Sequence, residues 1–166
     1  YDLPAGCTGF VNGLYLGQLL SKSLKKKGLL LCGDTVSKLI KKNDKKMKSL
    51  FGDCGSATAI EYDSNYKNKN FYEFGTDGSG ANSLIYSSNG INDYLDKNYL
   101  FMDGAKIFEF ALDKVPKQIT KLIKRNKIKI NKINYFIFHQ ANKYLIENLG
   151  KKMKFDKRKI LFSIDN

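Results

Sequence analysis

The sequence predicts an α/β layered fold, and two observations carry that prediction. Long segments with apolar residues at three- and four-residue steps alternate with short continuous apolar runs, the pattern of helices covering buried sheets. The chain has 166 residues, 42% of them hydrophobic and 13% aromatic, a composition able to bury one core.

Residues 1–3 read as the end of a strand and Ile160–Ile164 as a strand cut at its exit. The sequence is therefore expected to be an internal piece of a larger chain. Phe10 to Lys27 predicts a helix: Val11, Leu14, Leu19 and Leu20 fall near helical spacing, and Lys25–Lys27 occupy its last turn before Gly28. Leu29 to Cys32 is a continuous apolar run closed by Gly33, which suits a strand buried on both faces, with Cys32 a small core residue. Asn43 to Lys48 reads as a charged turn, and Phe51 to Ser56 as a bend leading into a strand from Ala57 to Tyr62.

Residues 63–70 form a polar connection rich in lysine and asparagine. Phe71–Phe74 predicts a strand, Gly75–Gly80 a turn, Ser83–Tyr86 another strand, and Asn89–Asn98 an exposed excursion. Met102 to Arg125 predicts the second long helix, with Phe108, Ala111, Leu112, Val115, Ile119 and Leu122 as its apolar stripe. Pro116 inside it predicts a kink or a fresh start. Asn134–Phe138 reads as a strand ending at His139, Ala141–Leu149 as a helix closed by Gly150, and Ile160–Ile164 as the last strand.

Charge narrows the partners. The formal net charge is +13, and apart from Arg125 and Arg158 the positive residues are lysines. A basic surface favours an anionic partner. Sequence-specific nucleic-acid recognition prefers the arginine fork, so no nucleic-acid partner is expected. The three cysteines, Cys7, Cys32 and Cys54, show no CxxC spacing, and His139 is the single histidine. Neither a zinc site nor a disulfide framework is suggested. No run is long and apolar enough to span a bilayer, so a cytoplasmic protein without a membrane partner is expected.

The stretch most suited to chemistry is Leu3 to Phe10. Cys7 stands between Gly6 and Gly9 at the head of the first helix. Helix N-termini carry partial positive charge and unpaired N–H groups, a setting that favours an anion at sulfur. His139 also sits at a strand-to-helix junction, and in layered α/β folds such junctions gather at one edge. A Cys–His pair allows thioester formation at sulfur with the imidazole as hydrogen-bond donor or base. Read singly, Cys7 suits a small buried residue equally well, and His139 a structural histidine.

In combination, Gly6-Cys-Thr-Gly-Phe10, Phe51-Gly-Asp53, Phe101-Met-Asp-Gly104 with Phe108, and His139-Gln-Ala-Asn142 resemble the ketoacyl-acyl-carrier-protein synthase III family of thiolase-like condensing enzymes. The likeness runs through the whole chain. It implies a layered αβαβα fold of which only part is present here. Residues 1–100 would belong to the first thiolase-like half, with the nucleophile, and 101–166 to the second, with the histidine. It implies an acyltransferase of fatty acid biosynthesis in which Cys7 takes an acyl group from acyl-coenzyme A. His139, with an asparagine, would stabilise the enolate formed from malonyl-carrier protein, and the product would be a 3-ketoacyl-carrier protein.

By the same resemblance Lys45, Gly104, Ala105, Phe108, Ala141 and Asn142 would meet coenzyme A or phosphopantetheine, and Lys151 and Lys152 would dock the acidic acyl carrier protein. A homodimer is implied, with no metal and no cofactor beyond the acyl-coenzyme A substrate. The family's catalytic asparagine falls beyond Asn166, which is itself unassigned. Cys54 stands for a common glycine, Ala105 for a common asparagine, Tyr144 for a common arginine and Lys45 for an arginine at the adenine end of coenzyme A. This altered tunnel mouth keeps open a relative that passes the acyl group to an oxygen or nitrogen nucleophile. A non-enzymatic basic binding module is the other alternative.

Overall fold

The computed structural model describes residues 1–67, 69–86 and 99–164. The excursion expected at Asn89–Asn98 lies outside the described residues, as does Asn166. The chain divides into two compact units, one of Tyr1–Lys38 with Phe51–Asn70 and one of Leu39–Leu50 with Phe71–Asn166.

In the first unit, helix α1 (Gly9–Leu24) lies on an antiparallel pair, β1 (Gly28–Asp34) and β2 (Cys54–Ile60). Leu30 pairs with Thr58, and Gly28 with Ile60. Strand side chains alternate between faces, so Leu30, Cys32, Thr58 and Ile60 share the better covered face. Leu29 and Leu31 point the other way and are 64% and 69% exposed. The expected burial of β1 on both faces is thus corrected: one face meets α1, and the other presents its leucines openly.

Glycines set the distance between α1 and the strands. A Cβ at Gly13 would come within 2.6 Å of Leu30 Cδ1, and one at Gly17 within 2.6 Å of Ile60 Cδ1. These two positions lie one turn apart on the same helix face. The helix ends earlier than expected because Lys25 takes the left-handed conformation (φ 52°) and donates its N–H to Ser21 O. Lys25–Lys27 therefore lie outside the helix, and Gly28 opens β1.

In the second unit, the charged turn expected at Asn43–Lys48 forms helix α2 (Lys45–Leu50), with the Asp44 carboxylate accepting the Met47 N–H at 3.0 Å. Strand β3 (Leu84–Tyr86) pairs antiparallel with β4 (Leu100–Met102), which ends at Met102, the residue expected to open the following helix. That helix, α3 (Gly104–Arg125), starts after Asp103, whose side chain accepts the Lys106 N–H at 3.1 Å. It passes through buried Pro116 as one element, so no fresh start occurs there.

Phe71–Phe74 is not a strand. The Glu73 carbonyl accepts Gln118 Nε2 from α3 at 3.1 Å, so that backbone group is engaged by a side chain. The Glu73 side chain is only 7% exposed and pairs with Lys121 and Arg125. Hydrogen bonding from Lys121 holds its pKa below the ordinary carboxylate value.

Helix α4 (Lys143–Met153) carries the core. Ile146 is fully buried and clusters with Phe155 and Ile160, and Phe136, Phe138, Ile119 and Phe162 pack around them. Phe136 and Phe155 stack with ring centroids 3.7 Å apart. Gly150 does not close this helix. It lies within it, where Ile160 rests against the bare backbone, and the helix ends at left-handed Lys154 (φ 54°). The two strands expected at 134–138 and 160–164 meet only at a parallel bridge, Phe136–Ile160.

Candidate active site

Cys7 occupies a 3-10 turn, Gly6–Thr8, directly ahead of α1. Gly6 has φ +50°, a conformation that side chains disfavour, which accounts for glycine before the cysteine. Local hydrogen bonds tie the turn down. Thr8 Oγ1 donates to Ala5 O at 2.8 Å, Asn12 Nδ2 to Thr8 O at 2.9 Å, and the Gly9 N–H to Gly6 O. The Cys7 thiol is free and exposed. A short hydrogen-bonded turn thus presents one sulfur directly ahead of a helix.

The Phe51-Gly-Asp53 block belongs to the same unit. Asp53 accepts both the Ser37 N–H (2.8 Å) and the Ser37 hydroxyl (2.5 Å), and these bonds lower its pKa. Beside it, Gly33, Asp34, Thr35, Cys54 and Gly55 line an open cavity of about 560 Å³. Cys54 is a free, exposed thiol, and Cys32 is half-buried and free.

The remaining candidate residues belong to the second unit. His139 is exposed at the end of the 134–138 stretch, and its carbonyl accepts the Ala141 N–H at 3.0 Å. Asn142 is the N-cap of α4, accepting the Leu145 N–H at 2.7 Å. The helix expected from Ala141 therefore starts at Lys143. Phe108, one turn into α3, stacks on Tyr144 at the head of α4, with centroids 5.5 Å apart and planes 16° from parallel. This stack brings the first turn of α3, with exposed Gly104 and Ala105, to the end of α4 that carries Ala141 and Asn142.

Lys151 and Lys152 are exposed in the last turn of α4, where the helix dipole favours cations. They lie roughly 12 Å along the helix from its start, at 1.5 Å per residue. Lys45 is exposed at the first position of α2. Sequence reasoning passed over Gln140. Its side chain donates to Phe138 O and Leu161 O and accepts the Ser163 N–H. The available signal was its position between His139 and the helix-capping Asn142. Among the described residues no group of His, Cys, Asp and Glu could hold a metal ion, and no helix is long and apolar enough to cross a membrane.

Two models of one family match this chain: 3-oxoacyl-(acyl-carrier-protein) synthase III over residues 1–80, and its C-terminal model over residues 123–166. The beta-ketoacyl-(acyl-carrier-protein) synthase III of Clostridium tetani is 33% identical over 181 residues, covering 100% of this chain and 54% of that protein. The enzyme of the same name from Streptococcus mutans is 33% identical over 166 residues, covering 96% and 51%. Among solved structures, a 3-oxoacyl-(acyl-carrier-protein) synthase III at 2.1 Å superposes with a TM-score of 0.87 at 32% identity, covering 99% of this chain and 54% of that one. The Thermus thermophilus enzyme superposes with a TM-score of 0.86 at 28% identity, covering 100% and 53%. The chain spans about half the length of these relatives, and it carries part of their thiolase-like layered fold.

Proposed function

We propose that this chain, which belongs to the 3-oxoacyl-(acyl-carrier-protein) synthase III family, supplies the nucleophile and the histidine of a decarboxylative condensing enzyme. The observation that carries the reading is that both catalytic-type stretches fall inside the family matches: Cys7 in 1–80, and His139 in 123–166. Each stands a few residues ahead of a helix, Cys7 before Gly9 of α1 and His139 before Lys143 of α4.

In this reading the Cys7 thiolate attacks the carbonyl of acyl-coenzyme A. A new C–S bond forms, and coenzyme A leaves as its thiolate. Malonyl-carrier protein then loses carbon dioxide, and the electron pair of the broken C–C bond passes into an enolate. The His139 imidazole donates a hydrogen bond to the enolate oxygen, with an asparagine as second donor. The enolate carbon attacks the Cys7 thioester, the C–S bond breaks, and the 3-ketoacyl-carrier protein departs as Cys7 regains its thiolate. No metal and no redox step is needed.

Gly104, Ala105, Phe108, Ala141 and Asn142 would line the path of the pantetheine arm, and Lys45 would meet the nucleotide end of coenzyme A. The Phe108–Tyr144 stack supports such a wall, since it joins the α3 and α4 ends that carry these residues. Lys151 and Lys152 would attract the acidic carrier protein, raising its association rate more than its affinity. The whole enzyme would act as a cytoplasmic homodimer.

The aromatic Tyr144, where the family commonly has arginine, favours one second reading: transfer of the Cys7 acyl group to an oxygen or nitrogen nucleophile. One experiment separates the two. The protein as its gene encodes it is given acyl-coenzyme A and radiolabelled malonyl-carrier protein, and labelled carbon dioxide and a 3-ketoacyl product are measured. Both should appear and depend on the acyl donor. Absence of both, with Cys7 acylated, would rule out the condensation and leave the ester- or amide-forming reaction.

A further inference from the structure

The stretch that ends at His139 and the one around Ile160 meet at a single parallel bridge, with the bonds of one ladder step. Phe136 N–H donates to Lys159 O at 2.7 Å, and Leu161 N–H returns to Phe136 O at 3.1 Å. The next two rungs of such a ladder would join Phe138 N–H to Leu161 O and Ser163 N–H to Phe138 O. One side chain engages three of those four groups. Gln140 Nε2 donates to Phe138 O at 2.9 Å and to Leu161 O at 3.3 Å, while Gln140 Oε1 accepts the Ser163 N–H at 3.0 Å. A single carboxamide has been inserted between the strands where the chain passes His139.

We infer that Gln140 is a positioning residue for His139. Its amide supplies two donor hydrogens and an acceptor in one plane, as this insertion requires. Glutamate lacks the donors when ionised, and asparagine is one methylene shorter. With Gln140 clipped to the strands and Asn142 capping α4, the backbone is fastened on both sides of His139. The imidazole is left exposed, free to face a reactant. Without the clip the Ser163 N–H and the Phe138 and Leu161 carbonyls lose this partner, and the backbone that carries the imidazole is no longer held. A shift of about 1 Å at a reacting group costs on the order of 100-fold in rate.

This inference rests on the proposed role of His139 in decarboxylation, so the test reads three things in the protein as its gene encodes it. Acyl transfer to Cys7 is followed by intact mass, carbon dioxide release from malonyl-carrier protein by label, and protection of the Ser163 amide by hydrogen exchange. In Gln140→Ala and Gln140→Glu, Cys7 acylation should stay within about twofold and KM for malonyl-carrier protein within about threefold. The kcat for carbon dioxide release should fall roughly 10- to 100-fold. Ser163 exchange should be slow in the parent and fast in Gln140→Ala. An unchanged kcat in both variants, or equal loss of acylation and release, overturns the inference. Should the parent release no carbon dioxide, the proposed reaction fails, yet Ser163 still decides the clip. Fast exchange in the parent refutes it, and slow exchange that Gln140→Ala makes fast supports it.

Discussion

A methyl group placed on Gly150 would lie 2.4 Å from Ile160 Cδ1, so the core isoleucine and the bare helix backbone occupy one fitted contact. Because Ile160 is 7% exposed, its δ-methyl has little open space to move into. Alanine gains about 1 kcal/mol of helix propensity over glycine, and overpacking of a core costs about 1–3 kcal/mol. Gly150→Ala should therefore lower stability by about 1 kcal/mol, and Gly150→Leu by about 3 kcal/mol, in urea unfolding. A stabilised Gly150→Ala protein would show that the contact yields freely.

Ile146 offers the opposite perturbation, since nothing reaches it from solvent. Ile146→Ala leaves a void among Phe155, Ile160 and their neighbours and should cost about 2–5 kcal/mol. Urea denaturation with an unchanged m-value would check it.

Acid should loosen the second unit through Asp77. Bonds from the Ser79 hydroxyl, Lys114 and the Ser79 N–H lower its pKa from 3.8 to about 2. A carboxyl whose folded pKa is depressed adds stability above its unfolded value, and that contribution is lost as pH falls from 3.8 toward about 2. Asp77→Asn should remove this part of the acid dependence, leaving the stability of the variant closer to the parent at pH 2 than at pH 6. A constant difference across that range would contradict the assignment.

The stack of Phe108 on Tyr144 should matter to substrates more than to folding, if the proposed pantetheine path is right. Aromatic pairs contribute about 0.5–1.5 kcal/mol beyond burial, and Tyr144 is itself 67% exposed. Tyr144→Ala should raise KM for the thioester substrate about 2- to 10-fold with kcat little changed. A fall in kcat alone would move Tyr144 from substrate binding to the chemistry.

What could be read in the sequence was set by how local its causes are. The long helices announce themselves through apolar spacing over many residues, and α1 and α3 lie close to where that spacing puts them. The misread places have causes far along the chain. Glu73 turns away from strand pairing because Lys121, Arg125 and Gln118 claim it. Gly150 looked like a helix terminator, yet its missing side chain admits Ile160. Strand β4 and helix α2 could have been found, since Asp103 and Asp44 are ordinary N-caps with acceptors in reach of the third N–H. At the candidate site, the turn before Cys7 was legible in Gly6, which takes φ +50°. The Gln140 clip was not, because its partners Leu161 and Ser163 lie some twenty residues away.

The most direct test of the account is acylation of Cys7 itself. The protein as its gene encodes it would be incubated with a panel of acyl-coenzyme A and acyl-carrier thioesters, and intact mass recorded beside the Cys7→Ala variant. The account predicts one acyl adduct from a subset of donors, stable to dilution and absent in Cys7→Ala. A folded protein that takes no acyl group from any donor, or one acylated equally without Cys7, would contradict it.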